Sequence, residues 1–254
     1  MQANKIIISI VIHNQAKLVE PLIEDLLALK KTYSLKIFLR VNTNEDVSNL
    51  KRFLKEPCFK MLHNIKELGY GSNHNLNFRL EKCDFFIVLN PDIRLVDKHL
   101  EILFSHFELE SVGVVAPRII SNNGNLEDSI RDYPSLTNLF KRYLLKNNVE
   151  AERRRILKTE IDWCAGMFMV FSYKSFSFIG GFDTKYFMYL EDADICLRLK
   201  YLASKKVFYE HSFECIHNAQ RASRSILKKH FFWHFSSLLK FQLSYIRLKY
   251  LRYH

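Results

Sequence analysis

Lys5-Ile6-Ile7-Ile8-Ser9-Ile10-Val11-Ile12 decides how the rest of the chain folds. Apart from Lys5 and Ser9, every side chain is β-branched and apolar, stiff at χ1 and suited to a pleated surface. Polar and apolar positions do not alternate, which is the pattern of a strand covered on both faces at the centre of a parallel sheet. The following chain supplies what such a sheet needs. Leu18, Leu22, Leu26 and Leu29 space a helix over 16–30, residues 35–41 read as a second strand, and Asn42-Thr43-Asn44-Glu45-Asp46 is its polar exit loop. A helix is expected over 47–55 and a short strand near 60–62. Gly69-Tyr70-Gly71-Ser72-Asn73-His74-Asn75 reads as a loop into a helix over 75–82, followed by a fourth strand over 85–89. Strand alternating with helix implies an α/β fold wound by right-handed crossovers.

In such sheets ligands gather at the carboxyl ends of strands. Here those ends carry His13-Asn14, Asn42 to Asp46, and Asn90-Pro91-Asp92, all expected on one edge. No GxGxxG follows the first strand and no P-loop glycine-lysine motif occurs, which argues against a dinucleotide enzyme or a P-loop nucleotidase.

With 254 residues, 48% of them apolar, the chain can bury a large core as one α/β domain, or as one domain plus an appendage. Cys58, Cys83, Cys164, Cys196 and Cys215 are scattered, odd in number and without a CxxC pair. That usage fits a reducing compartment better than a disulfide framework or a structural zinc site. The apolar run at 6–12 is too short for a signal sequence, and no stretch approaches the ~18 apolar residues of a membrane span, so a cytoplasmic protein is expected.

The net charge of +11 is concentrated at one end. After Glu214 there is no acidic residue, whereas Arg221, Arg224, Lys228, Lys229, Lys240, Arg247, Lys249 and Arg252 interleave with aromatic residues from Phe231 to Tyr253. Such a segment suits an anionic surface, either lipid headgroups or nucleic acid. On a helix over 225–253, Phe232, Phe235, Leu239, Leu243, Ile246, Tyr250 and Tyr253 share one face, while Lys229, Lys240 and Arg247 line another. The helix can pack on the domain, lie on anionic lipid, or divide itself between the two.

Candidate chemistry gathers in two acidic stretches. Tyr189-Leu190-Glu191-Asp192-Ala193-Asp194-Ile195-Cys196-Leu197-Arg198 places three carboxylates within four residues where a helix begins. Glu191 or Asp192 is expected as the N-cap, because unsatisfied N–H groups there favour negative charge. Capping and dipole interactions occupy two acids and leave the third to be explained. Asn90-Pro91-Asp92 ends a buried strand in a stiff turn; alone it is ordinary turn chemistry. An aspartate so held also suits Mg2+ or Mn2+, which prefer hard oxygen ligands and a diphosphate. His217 alone reads as a packed or surface histidine and gains meaning only opposite Asp92.

Taken in order, several motifs resemble family 2 glycosyltransferases of the GT-A fold. They are the first strand ending at His13-Asn14, Leu89-Asn90-Pro91-Asp92, Asp162-Trp163-Cys164-Ala165-Gly166, Gly180-Gly181-Phe182-Asp183, Phe187-Met188-Tyr189-Leu190-Glu191-Asp192-Ala193-Asp194 and Ile216-His217. The likeness spans residues 5–240 and is greatest to bacterial rhamnosyltransferases of O-antigen and related surface-polysaccharide assembly. It implies a GT-A catalytic domain over 1–220 with a mostly parallel central sheet flanked by helices, and a basic amphipathic helical tail over 221–254. It also implies inverting transfer, in which an acceptor hydroxyl attacks the anomeric carbon as a nucleoside diphosphate leaves. That chemistry needs one carboxylate base and positive charge on the departing diphosphate.

By the same resemblance Asp192 matches the base, Asp92 the metal aspartate, and His217 the later histidine of the metal site. His13, Asn42, Asn75, Asn90 and Asp92 fall at donor positions. Trp163 and Gly166 fall at the acceptor pocket, with Glu191 and Asp194 orienting the acceptor and Arg198 pinning the acidic turn. The implied donor is dTDP-rhamnose, the acceptor a polyprenyl-diphosphate-linked sugar, the cofactor Mg2+ or Mn2+, and the place the inner face of the bacterial inner membrane. A UDP-hexose donor and a catalytically silent scaffold of a polysaccharide complex stand as alternatives. A nucleic-acid-binding module would leave the acidic stretch unexplained.

Two positions depart from the family pattern. Val41-Asn42 stands where Asp-Asn is usual, so either base recognition passes to Asn42, Asn44 or Asp46, or donor binding is weaker. Asn90 replaces a first aspartate. Between the halves, a strand is expected over 112–120 and a polar loop over 122–131. A basic helix over 137–157 carries Arg153-Arg154-Arg155, read as a solvated face or as a contact for diphosphate or headgroups.

Overall fold

The structure, a computed structural model, describes residues 4–134, 159–218 and 227–251. β1 (Lys5–Ile12) lies where its composition predicts, between two parallel neighbours, β2 (Ser34–Val41) and β4 (Phe85–Leu89). Everything in β1 after Lys5 is buried. Its one buried polar side chain, Ser9, lies 2.7 Å from Nδ1 of His74 and accepts a hydrogen bond from Asn77, so the Ser9 hydroxyl is satisfied at the sheet centre. β3 (Phe59–His63) extends the parallel set beyond β2.

On the other side the sheet changes sense. β10 (Phe168–Ser172) runs antiparallel between β4 and β6 (Val112–Ser121), and β11 (Lys206–His217) lies parallel to β6. β5 (Ile93–Leu95) closes the edge antiparallel to β11. The main path is β3-β2-β1-β4-β10-β6-β11-β5, and β8 (Glu160–Ile161) also pairs with β11. β7 (Ile130–Arg131) and β9 (Trp163–Cys164) form a separate two-stranded ladder.

Alternate residues of the central strands feed two cores. Ile6, Ile8, Ile10 and Ile12 face α1 (Glu20–Ala28) and α3 (Glu101–Ser105). Ile7, Phe86 and Val88 belong to the opposite core with α4 (Tyr173–Phe178), α5 (Glu191–Leu202) and α6 (Leu227–Leu251). α2 (Tyr70–Phe78) covers the same side, Tyr70 and Phe78 packing against that core. The polar ends of β1, β2 and β4 therefore share one edge, as their parallel pairing requires.

Three local expectations are corrected. Residues 48–55 form 3-10 turns rather than an α-helix: only Leu50 and Phe53 are buried, and three residues per turn stacks that i,i+3 pair on one side. The stretch expected as a loop before a helix at 75–82 is itself α2, beginning at Tyr70. Gly69 caps it in an extended conformation, and Gly71 lets the helix approach Phe182, whose Cβ would lie 2.5 Å from a Cβ at that position. The N-cap of α5 is neither Glu191 nor Asp192 but Leu190, in left-handed backbone with no side-chain cap. The expected basic helix over 137–157 lies outside the described residues.

Candidate active site

β5 and β11 assemble the first half of the site. Their antiparallel register sets His217 opposite Ile93, one residue past Asp92. The Asp92 carboxylate consequently lies 3.1 Å from Nε2 of His217, and its carbonyl accepts the Asn218 N–H at 2.8 Å. Glu127 stands 3.9 Å from the other ring nitrogen. Burial would depress the His217 pKa, but the hydrogen bond and charge of Asp92, backed by Glu127, raise it above its ordinary value. Oδ1 of Asp92 and Nδ1 of His217 are buried without a hydrogen-bond partner.

α5 brings the second half. Tyr189 and Leu190 have φ of 72° and 64°, a conformation costing non-glycine residues roughly 1–2 kcal/mol each. The bend turns Glu191 and Asp192 inward at the first two helical positions. Asp192 accepts the N–H of Gly166 through Oδ2 at 3.0 Å and that of Ala193 through Oδ1 at 2.9 Å. Burial pushes its pKa up, opposed by those two N–H groups and the charge of Arg131. Glu191 is 6% exposed with Oε2 unpartnered; burial first, then the charge of Asp192, pushes it up to about 8. Glu191 thus holds its proton more tightly than an ordinary carboxylic acid does.

Tyr70 joins the halves, and sequence reasoning missed it. Its phenol donates to the Gly166 carbonyl at 2.6 Å and lies 3.1 Å from the Asn90 side-chain amide. Burial, then the charges of Glu191, Asp192 and Asp92, raises its pKa well above the phenolic value. Acids separated by a hundred residues in sequence therefore act on one hydroxyl. Arg131 was also missed. It pairs with Trp163 across the β7–β9 ladder, sits 5.2 Å over the indole and is tied to Asp128 at 3.0 Å. The sequence signal for Tyr70 was a large residue flanked by two close-approach glycines; Arg131 carried none.

The remaining expected residues divide. His13 is at the edge, exposed, with Nδ1 3.2 Å from Glu67. Asn90 and Gly166 are at the centre. Trp163, expected at the acceptor pocket, is 3% exposed, donates Nε1–H to the Asp132 carbonyl and lies beneath Arg131, so it is a wall of the site. Asn42 is a clamp: its amide bonds both N–H and C=O of Leu68 and accepts from Asn64 and Asn73. Val41 is fully buried. Asn75 grips the N–H and C=O of Phe182 at 2.9 and 2.8 Å. The hydrogen-bonding atoms of Asn42 and Asn75 are thus engaged with backbone. Asp194, expected to orient an acceptor, is 1% exposed, paired with Arg198 at 2.6 Å and approached by Tyr186 and Ser244. Arg198 also donates to the Ile179 carbonyl.

No three acid, histidine or cysteine side chains among the described residues converge to cage a metal. Asp92 and His217 nevertheless offer a hard oxygen with an orphaned partner and an imidazole. That pair fits an ion whose other positions are filled by a ligand's diphosphate and water.

Residues 7–179 match Glycosyl transferase family 2. The chain belongs to this family. It is 31% identical over 249 residues to Rhamnosyltransferase WbbL of Escherichia coli K12, covering 92% of this chain and 91% of that one. It is 25% identical over 194 residues to an N-acetylglucosaminyl-diphospho-decaprenol L-rhamnosyltransferase of Mycobacterium tuberculosis, covering 68% of this chain and 63% of the other. The fold is that of the mannosyltransferase PcManGT from Pyrobaculum calidifontis, solved with GDP-Man and Mn2+. The TM-score is 0.64 at 13% identity, over 94% of this chain and 65% of that one. It is also that of residues 1–349 of S. aureus TarS with UDP-GlcNAc, at TM-score 0.59 and 13% identity, over 86% and 60%. The GT-A fold expected from the sequence is thereby shown.

Proposed function

We propose that this family 2 glycosyltransferase is an inverting rhamnosyltransferase. It moves L-rhamnose from dTDP-rhamnose to a polyprenyl-diphosphate-linked sugar at the inner face of the bacterial inner membrane, in O-antigen or related polysaccharide assembly. The observation that carries the reading is the hydrogen-bonded link through Tyr70: its hydroxyl reaches the side chain of Asn90, two residues before Asp92, and the carbonyl of Gly166, whose N–H is held by Asp192. It sets a cation-binding aspartate and a candidate base around one space. The rhamnosyltransferase relatives support the choice of sugar.

The Asp192 carboxylate takes the acceptor hydroxyl proton as the new C–O bond forms and the bond to the diphosphate breaks on the opposite face. A single base suffices for this displacement. Its two backbone N–H bonds fix its direction, and burial raises its proton affinity towards that of a working base. Glu191, protonated beside it, donates to the acceptor. Asp92 and His217 would hold Mg2+ or Mn2+, which when bound would neutralise charge on the departing diphosphate. Asn90, Gly166 and His13 border the donor and acceptor. With Val41 buried and Asn42 occupied, the base is read by the exposed exit loop, Asn44 and Asp46.

The test is calorimetry of dTDP-rhamnose, UDP-glucose and UDP-galactose with wild type and Asp92→Ala, with and without Mn2+. Metal-dependent binding of dTDP-rhamnose, lost in Asp92→Ala, is expected. Binding of a UDP-hexose instead would replace the donor. Binding of none by folded protein would leave a silent scaffold.

A further inference from the structure

α6 is two-faced. Its inner side holds the segment that leads into the candidate base. Ser237 donates to the Met188 carbonyl at 2.9 Å, Lys240 to that of Lys185 at 2.7 Å, and the Trp233 ring stands 4.9 Å from Phe187. Phe241, in the middle, is fully buried. Its outer side carries Phe232, Phe235, Leu239, Leu243, Ile246 and Tyr250, each between 52% and 71% exposed. At 3.6 residues per turn these six fall in a stripe on the order of 80° wide and roughly 27 Å long. Arg247 and Lys240 border it on one flank and Lys249 on the other, and no carboxylate occurs in the chain after Glu214.

We propose that this face of α6 is a docking surface for an anionic lipid bilayer, on which the helix lies in the plane of the headgroups. Single exposed apolar residues are ordinary, but a continuous stripe of six is a contact site. Its basic borders match anionic headgroups, and the apolar face with aromatic residues towards both ends matches the boundary with acyl chains. No described helix is long and apolar enough to cross a membrane, so α6 lies on the surface. A second copy of the chain on the same face would bring like-charged borders together. The use of this surface rests on the proposed function: through Lys185, Met188 and Phe187, α6 carries the Glu191–Asp192 turn to where a lipid-diphosphate acceptor resides. The docking itself does not require sugar transfer.

The experiment is co-sedimentation of the full chain with vesicles of phosphatidylethanolamine and phosphatidylglycerol, or of phosphatidylcholine alone, without nucleotide sugar or acceptor. Binding to the anionic vesicles and little to the neutral ones is expected. Leu243→Ser with Ile246→Ser should lower the partition coefficient by about tenfold or more. Arg247→Gln with Lys249→Gln should lower it about fivefold per charge and flatten its salt dependence. All four side chains are exposed, and circular dichroism checks that the fold is kept. The proposal is overturned if wild type ignores anionic vesicles or if folded variants bind as wild type does. A dimer that the serine variant turns into monomer would equally overturn it, by making the occupant a second copy. Vesicle binding without any sugar transfer would count against the proposed function and leave this surface standing.

Discussion

At the scale of single residues, the informative pair is Glu191 and Asp192. Asp192→Asn keeps the size of the side chain and one oxygen for the Gly166 N–H, but removes the proposed acceptor of the hydroxyl proton. Turnover should fall about 10²–10⁴-fold, the usual worth of a positioned base, with donor affinity unchanged by calorimetry. In wild type the rate should fall as pH drops through the raised pKa of Asp192, above the ordinary aspartate range. Stability runs the other way. Glu191 titrates near 4.5 unfolded and at about 8 folded, so between those values the folded state binds more protons. Its contribution is complete at low pH and is lost as pH rises from about 4.5 to about 8. Glu191→Gln cannot ionise, so melting temperatures measured from pH 5 to pH 9 should show a flatter profile than wild type. An unchanged slope would place the titrating group elsewhere.

Elements explain why some residues that look functional in sequence are structural. Asn75 lies on α2, but its amide clasps the backbone of Phe182 beside Gly181, whose φ of 74° and closeness to Asn75 leave no room for a side chain. Asn75→Asp retains the acceptor for the Phe182 N–H but sets an oxygen against its carbonyl. A loss of about 2–4 kcal/mol is expected, a drop of roughly 5–15 °C in melting temperature, with donor affinity of the folded fraction retained. Asp194→Ala should cost about 3–5 kcal/mol, because it strands the Arg198 guanidinium in the interior. Thermal melts would read that cost; unaltered stability with a raised acceptor KM would instead restore Asp194 to the acceptor. The sequence made the strands legible because β-branched and aromatic runs such as 6–12 and 85–89 have few other uses, and motif order brought Asp92, His217 and Asp192 forward as candidates. It could not show that Asn42 and Asn75 turn their amides to backbone, since an asparagine at a strand end reads the same whether it meets a ligand or a carbonyl. The start of α2 was hidden by Gly69 and Gly71, which read as loop residues but serve close packing. Tyr70 went with it.

For the whole molecule the open issue is where the cooperative unit ends. The composition break near residue 221 invites a cut between a catalytic domain and a tail, yet α6 shares a core with the base helix: Phe241 and Leu248 are buried in the cluster that contains Trp163, Ala193 and Ile195. Ser244 reaches Asp194, Gln242 hydrogen-bonds the Pro134 carbonyl, and Tyr245 stands 5.9 Å from the Tyr133 ring. Removing the chain after residue 226 would uncover that apolar surface around the acidic turn. Burying one large apolar side chain is worth about 1.5–3 kcal/mol, so Phe241 and Leu248 alone make up a sizeable part of the 5–15 kcal/mol that holds a typical protein together. The truncated chain should therefore melt at least 10 °C below the full one and bind a hydrophobic dye, even in detergent where vesicle docking plays no part. The serine substitutions on the outer face of α6 should leave the melting temperature where it is. A truncated chain as stable as the full one would make the segment a true appendage; a stable but inactive one would mean that α6 serves the catalytic turn without supporting the fold.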